Sequence, residues 1–195
     1  MTRTGSLCTG YGGLDMAVHA VLGGDLAWVA DIDPGASAIA GYRFPSVPNL
    51  GDITAADWGS VEPVGVLTAG FPCQPVSAAG RRKGLGDERW LFDDICTAVG
   101  RMVARPRLLV LENVPGLLSA NGGDAMARVV QGLAALGYEF AYRLVRASDA
   151  GAPHRRERWF CLAWLAGAGG GVCFLRRWRR TATGQARPTR AGTRR

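Results

Sequence analysis

Residues 5–15 read GSLCTGYGGLD. The apolar run Ser6-Leu7-Cys8 is the end of a short buried strand, and it stops at three glycines, Gly10, Gly12 and Gly13. Glycine accepts left-handed backbone and lets another group approach the main chain, so the stretch reads as a strand turning tightly into a helix. An apolar helical stretch carrying His19 follows. The same grammar recurs downstream. Apolar runs end at Asp31 (LAWVAD, 26–31), Gly70 (VGVLTAG, 64–70) and Asn113 (LLVLEN, 108–113), and FAYRLVRA (140–147) and RWFCLAWL (158–165) are further strand candidates. Leu91, Ile95, Ala98 and Met102 recur at helical spacing, as do Met126, Val129, Val130 and Leu133. Asp124 is placed to cap the second of these helices and Gly137 to end it. Alternating strands and helices predict an α/β domain with a mostly parallel sheet and helices on both faces. Such sheets bind ligands beyond the carboxyl ends of their strands. The chemically distinctive residues of this chain fall at those ends.

The chain has 195 residues, 48% hydrophobic and 20% charged, which suits one globular domain with a real core. Its five cysteines include no CxxC pair and are odd in number, which argues against a disulfide framework or a zinc site. A reducing, cytoplasmic setting is expected, since the first residues run straight into a motif without room for a signal peptide. Net charge is +7, unevenly placed. Residues 1–157 hold 14 Lys+Arg against 16 Asp+Glu, whereas residues 158–195 hold nine arginines and no acid. A basic arm fits a polyanion such as nucleic acid, or equally a disordered tail with no partner. The 17 uncharged residues 159–175 reach the lower limit for a membrane span. Four glycines interrupt them and their first half reads as a core strand, so no membrane association is expected. The domain is expected to span 1–165, and the Gly- and Arg-rich 166–195 to be poorly ordered.

Two clusters carry chemistry. At the first, Cys8-Thr9-Gly10-Tyr11-Gly12-Gly13 is followed by Asp31 at the end of the second strand, where a carboxylate can accept from ribose hydroxyls. Ile32 can pack on a flat base, and Asp52 in Gly51-Asp52-Ile53-Thr54 can accept from an exocyclic amine. Either acid could instead cap a turn. Together with the glycines they describe a nucleoside site. At the second, Cys73 stands between Pro72 and Pro75 in GFPCQPVSAAG. Flanking prolines make a stiff non-helical turn, which places a thiol for chemistry or leaves it a small buried hydrophobe. Glu112-Asn113 and Arg155-Arg156-Glu157-Arg158 add a carboxyl group and paired guanidiniums at strand ends.

In this order CTGYGGLD, Asp31, GDI, GFPCQPVS, LENV and RRER resemble the DNA (cytosine-5) methyltransferase family, over about residues 5–165. The resemblance implies a Rossmann-like fold, S-adenosylmethionine as methyl donor and cytosine in double-stranded DNA as acceptor. C5 of cytosine is a weak nucleophile. A thiolate adding at C6 makes C5 enamine-like, so covalent catalysis splits one hard step in two. Cys73 would be that nucleophile, with Arg156 and Arg158 favouring its thiolate. Glu112 would donate to N3 and must be protonated to do so. Arg158 would hold the base at O2 and Asn113 would fix the loop. The base has to be flipped out of the duplex to be reached.

On the donor side the resemblance maps Gly10, Gly12 and Gly13 to the methionine end, with Cys8, on the adenine side, and Thr9 and Tyr11 as further donor-binding residues. It maps Asp31 to the ribose, and Ile32, Asp52, Ile53 and Leu91 to the surroundings of the adenine. Gly70 and Pro72 border the sulfonium. Ser77 to Arg89 resembles the loop that closes over DNA, with Ser77, Arg81, Arg82, Lys83 and Arg89 as its DNA contacts and Gln74, just before it, as another. Cys8 and Ile32 stand where the family often has aromatic residues, and His154 where it often has glutamine. The family continues past RRER with a target-recognition region and a terminal helix, and this chain ends about 30 residues later. It therefore reads as a catalytic half, active alone or with a second polypeptide that supplies recognition, or else as a non-catalytic remnant. A thiol hydrolase is the weaker rival, because neither His19 nor His154 has an evident orienting acid.

Overall fold

The computed structural model describes residues 2–72 and 90–167. In chain order its elements are β1 (Arg3–Leu7), α1 (Gly13–Leu22), β2 (Asp25–Ala30), α2 (Pro34–Arg43), β3 (Val66–Gly70), α3 (Phe92–Arg101), β4 (Leu108–Asn113), α4 (Asp124–Ala135), β5 (Tyr138–Arg146) and β6 (Glu157–Leu165). They form one six-stranded sheet in the order β2-β1-β3-β4-β6-β5. The first four strands are parallel, and β6 is antiparallel to both its neighbours. The chain moves from β1 outward to β2, then returns to lay β3 on the other side of β1. That reversal opens a crevice between the carboxyl ends of β1 and β3, where α/β sheets bind ligands.

The central strands are apolar on both faces because both are covered. Leu67, Leu109 and Leu111 join a large core with Ile95, Ala98, Val129 and Leu133 of α3 and α4, together with Trp159 and Cys161 of β6. On the opposite face Val18 of α1 packs with Val66, Leu108 and Val110. Each fully buried leucine contributes roughly 1.5–3 kcal/mol of transfer free energy. The fold is thus the Rossmann-like α/β sheet expected, with helices on both faces. The expected segments differ at their ends. β1 starts at Arg3, and α4 is capped by Gly123 with no side-chain cap, so Asp124 is its first residue and not its cap. Gly122 and Gly123, at φ 70 and 105, swing the chain into the helix without a capping side chain. Asp124 then meets the positive end of the helix dipole. Gly137, at φ 80, ends the helix as expected. Among the described residues no helix is long and apolar enough to cross a membrane, and residues 159–165 lie within β6.

Candidate active site

The loop after β1 is built from backbone. Cys8, Gly10 and Gly12 have φ of 51, 56 and 79, and only glycine takes such values freely. Open space lies where a Cβ on Gly10 would point, whereas one on Gly12 would sit 2.9 Å from the Phe44 ring. The loop is held from three sides. Gly10 donates its N–H to Asp31 Oδ2 at 2.8 Å, and Asp33 donates to Asp31 Oδ1 at 2.9 Å. Arg43, in the last turn of α2, donates to the Tyr11 carbonyl at 3.1 Å and lies over the Tyr11 ring. Asn49 Oδ1 accepts from the N–H groups of Asp31 and Gly51, while its Nδ2 donates to the Asp31 carbonyl. Asn49 therefore fastens the end of β2 to the turn that carries Asp52. Neither Asn49 nor Arg43 stands out in the sequence, because their importance lies in contacts between segments distant along the chain.

The residues expected around an adenine are arranged unequally. Ile32 is 71% exposed at the end of β2, an open apolar surface. Ile53 instead faces the core, and its carbonyl accepts from Trp58 Nε1. Asp52 caps its own turn, with Oδ1 accepting from the Thr54 N–H and hydroxyl. The Thr54 N–H is the main cause of its lowered pKa. Leu91 is half-buried before α3. Burial pushes the pKa of Asp94, one turn further on, up, and the charges of Asp93 and Asp52 add to that.

The other side of the site is built from side chains on β3, β4 and β6. Glu112 and Gly70 are register partners on β4 and β3, and a Cβ on Gly70 would lie 3.6 Å from Glu112 Oε2. Arg158 Nε meets Glu112 Oε1 at 2.9 Å, and Arg158 Nη1 donates to the Glu157 carbonyl at 2.8 Å. Phe160 pairs with Glu112 across the strands. Burial pushes the Glu112 pKa up, and this outweighs the opposing charges of Arg158 and Arg156. Asn113 is buried; its Nδ2 donates to the Phe71 carbonyl at 3.2 Å, directly before Pro72. Phe71 also packs against Trp90 and Phe92, with ring centroids 6.1 and 5.4 Å away. The backbone on either side of residues 73–89 is therefore anchored in one aromatic cluster.

Both sides share a cleft of about 680 Å³. Cys8, Thr9, Gly10, Tyr11 and Gly13 line one wall, Glu112, His154, Arg156 and Arg158 the other, and Gly70 lies between. His154, which stands where the family often has glutamine, is an exposed loop residue at this cleft, and its Nδ1 accepts from the Arg156 N–H. Asp31, Ile32, Asp52, Ile53 and Leu91 are not on its walls, though Asp31 reaches it through Gly10. Cys73, Gln74, Ser77, Arg81, Arg82, Lys83 and Arg89 lie outside the described residues, as does the segment from 168 onward. Burial pushes the thiols of Cys8, Cys96 and Cys161 up to about 12, which leaves them poor nucleophiles.

A family model of the C-5 cytosine-specific DNA methylase matches residues 2–169. The chain is 32% identical over 161 residues to the type II methyltransferase M.MspI of Moraxella sp, covering 82% of this chain and 38% of that protein. It is 34% identical over 163 residues to the type II methyltransferase M2.BsuMI of Bacillus subtilis strain 168, covering 82% and 41%. The S. pombe Dnmt2 methyltransferase structure has the same fold, with a TM-score of 0.71 at 23% identity over 95% of this chain and 57% of that one. The chain thus spans about two fifths of the length of these two type II relatives. With the glycine loop, Glu112 and Arg158 meeting in one crevice and the family match running through all of them, the chain belongs to the C-5 cytosine-specific DNA methylase family.

Proposed function

We propose that this chain is the catalytic half of a DNA (cytosine-5) methyltransferase. The observation that carries the proposal is the Glu112–Arg158 pair at 2.9 Å, which faces the glycine loop across one cleft. The donor site fits S-adenosylmethionine in its chemistry. Gly10 leaves open space where any other residue would have a side chain, and Asp31 presents a carboxylate already oriented by two backbone N–H groups. Residues 8–13 would hold the amino-acid end, Asp31 the ribose and Ile32 one face of the adenine. Bound S-adenosylmethionine supplies an electrophilic methyl group.

The chain's own groups would do the rest. The Cys73 thiolate adds to C6 of a flipped cytosine, forming a C–S bond and moving electron density toward C5 and N3. Glu112, its pKa raised by burial, would donate to N3 in its protonated form as that charge develops. Arg158 binds O2 and, with Arg156, favours the thiolate. Asn113 holds the Phe71 carbonyl and so fixes the approach of the chain to Cys73. C5 would take the methyl group as its bond to the donor sulfur breaks and leaves S-adenosylhomocysteine; loss of the C5 proton and departure of the Cys73 sulfur then restore the aromatic ring. DNA phosphates would meet Arg81, Arg82 and Lys83.

The test is a duplex carrying 5-fluorocytosine, mixed with donor and run on a denaturing gel. Fluorine at C5 cannot leave as a proton does, so the C–S bond persists. An adduct absent in Cys73→Ser is expected. No adduct from folded, donor-binding protein, with or without a polypeptide that supplies target recognition, means a non-catalytic remnant. A second reading rests on the chain spanning only 38% and 41% of the two type II relatives. A partner polypeptide would then supply target recognition, and the adduct would form only in its presence.

A further inference from the structure

Asp15 is a buried carboxylate that none of these steps uses. It is 5% exposed and lies in the first turn of α1. Its Oδ2 accepts from the Ser6 hydroxyl at 3.0 Å, and its Oδ1 accepts from the Thr68 hydroxyl. Ser6 and Thr68 are register partners on β1 and β3, the two strands that flank the crevice. All three residues line the cleft, beneath the glycine loop. A carboxylate is costly to bury, and two hydroxyl donors with the positive end of a helix dipole offset that cost only in this geometry.

The contacts continue around the loop. The Thr9 hydroxyl reaches the Ser6 carbonyl at 3.4 Å. Gly12 donates to the Thr9 carbonyl, and Met16, next to Asp15, donates to the Gly12 carbonyl, each at 3.0 Å. The Ser6–Asp15 bond closes the ring. The N-cap of α1 is Gly12, with no side-chain cap, so the helix start depends on this carboxylate for its side-chain tie to the sheet.

We infer that Asp15, with Ser6 and Thr68, is a positioning residue that fixes the glycine loop for the amino-acid end of the methyl donor. The inference rests on the donor-site reading above. The latch acts through the loop and touches no reacting atom. Removing it leaves the Asp31 and Ile32 end of the site intact, so ligands should be affected according to whether they carry the amino-acid chain.

Calorimetric titration of the chain with S-adenosylhomocysteine and with 5′-methylthioadenosine, which lacks that chain, tests this. Thr68→Val keeps the branched shape of the side chain and removes the hydroxyl; Thr68→Ser restores a hydroxyl. The expected result is at least a fivefold loss of S-adenosylhomocysteine affinity in Thr68→Val, less than twofold for 5′-methylthioadenosine, and recovery in Thr68→Ser. Asp15→Asn, which can still accept one hydroxyl, should fall between. Parallel loss of both ligands, or no change in either, overturns the latch while leaving the donor site standing. If the unaltered chain binds neither ligand, the donor-site reading falls and the latch with it.

Discussion

The two walls of the cleft are built by different means. The donor wall is backbone held by distant braces: Asp31 on Gly10, Arg43 on Tyr11 and Phe44 against Gly12. The acceptor wall is a few side chains on rigid strands, with Glu112 and Arg158 on neighbouring antiparallel strands. Backbone offers the same N–H groups whatever the side chains are, so the donor wall depends on conformation. Side chains carry charge and protons, so the acceptor wall depends on residue type. Substitutions should therefore separate the two, with donor-wall changes read in binding and acceptor-wall changes in rate.

The largest effect should come from the acceptor wall. Glu112→Gln cannot supply the same acid and should lower single-turnover methyl transfer by roughly 10²–10⁴-fold, the range typical of general acid–base catalysis. S-adenosylhomocysteine affinity measured in parallel should stay within about twofold, as expected of a group that acts on the base alone. A comparable loss in both measurements would erase the distinction between the walls. Asp31→Ala comes next. It removes an ionised acceptor from Gly10 and Asp33, and hydrogen bonds to charged groups contribute about 1.5–3 kcal/mol each. Donor affinity should drop by roughly 10–10²-fold, read by calorimetry, with the rate at saturating donor nearly preserved.

Two glycines sharpen the contrast. Gly12→Ala puts a methyl against the Phe44 ring at a left-handed φ, so it should lose about 1–2 kcal/mol of stability in urea unfolding and bind donor poorly. Gly70→Ala meets Glu112 Oε2 at 3.6 Å and the Cys8 carbonyl at 3.7 Å, both ordinary contact distances. It should fold normally and slow methyl transfer, since the added carbon lies where the two walls meet.

The smallest effect is in pH. Burial raises both Asp15 and Glu112, so the folded chain keeps protons that the unfolded chain has released. Over that window the folded state binds more protons, and stability falls as pH rises above the ordinary carboxylate range, about 4. Asp15→Asn should flatten this slope in urea titrations taken across the window. An unchanged slope would mean that Asp15 does not titrate there.

The sequence made the acceptor wall more legible than the donor wall. β4 was readable to the residue as Leu108–Asn113, since an unbroken apolar run ending in Glu-Asn has little choice of register. The order Gly-rich turn, Asp31, Glu112 follows from strand ends alone, whereas Arg158 stands at the start of β6 and reaches the cleft because that strand runs antiparallel to β4. What stayed hidden depends on pairing across the chain. Nothing local marks β6 as antiparallel between β4 and β5, or brings Arg43 from α2 to Tyr11. Asp15 reads as an ordinary first-turn acid until Ser6 and Thr68 are seen beside it. Ile53 looks like a candidate adenine contact until the turn sends it inward against Trp58.

The direction of β6 has one more result. It begins at the cleft with Glu157 and ends at Leu165, which pairs with the first residue of β5 and donates to the Arg107 carbonyl. Eight steps of about 3.3 Å from the first of its nine residues to the last place those ends roughly 26 Å apart, on opposite poles of the sheet. A fusion or label joined after Leu165 therefore starts well clear of the working crevice. The same addition placed between Arg146 and Glu157 would land on its rim.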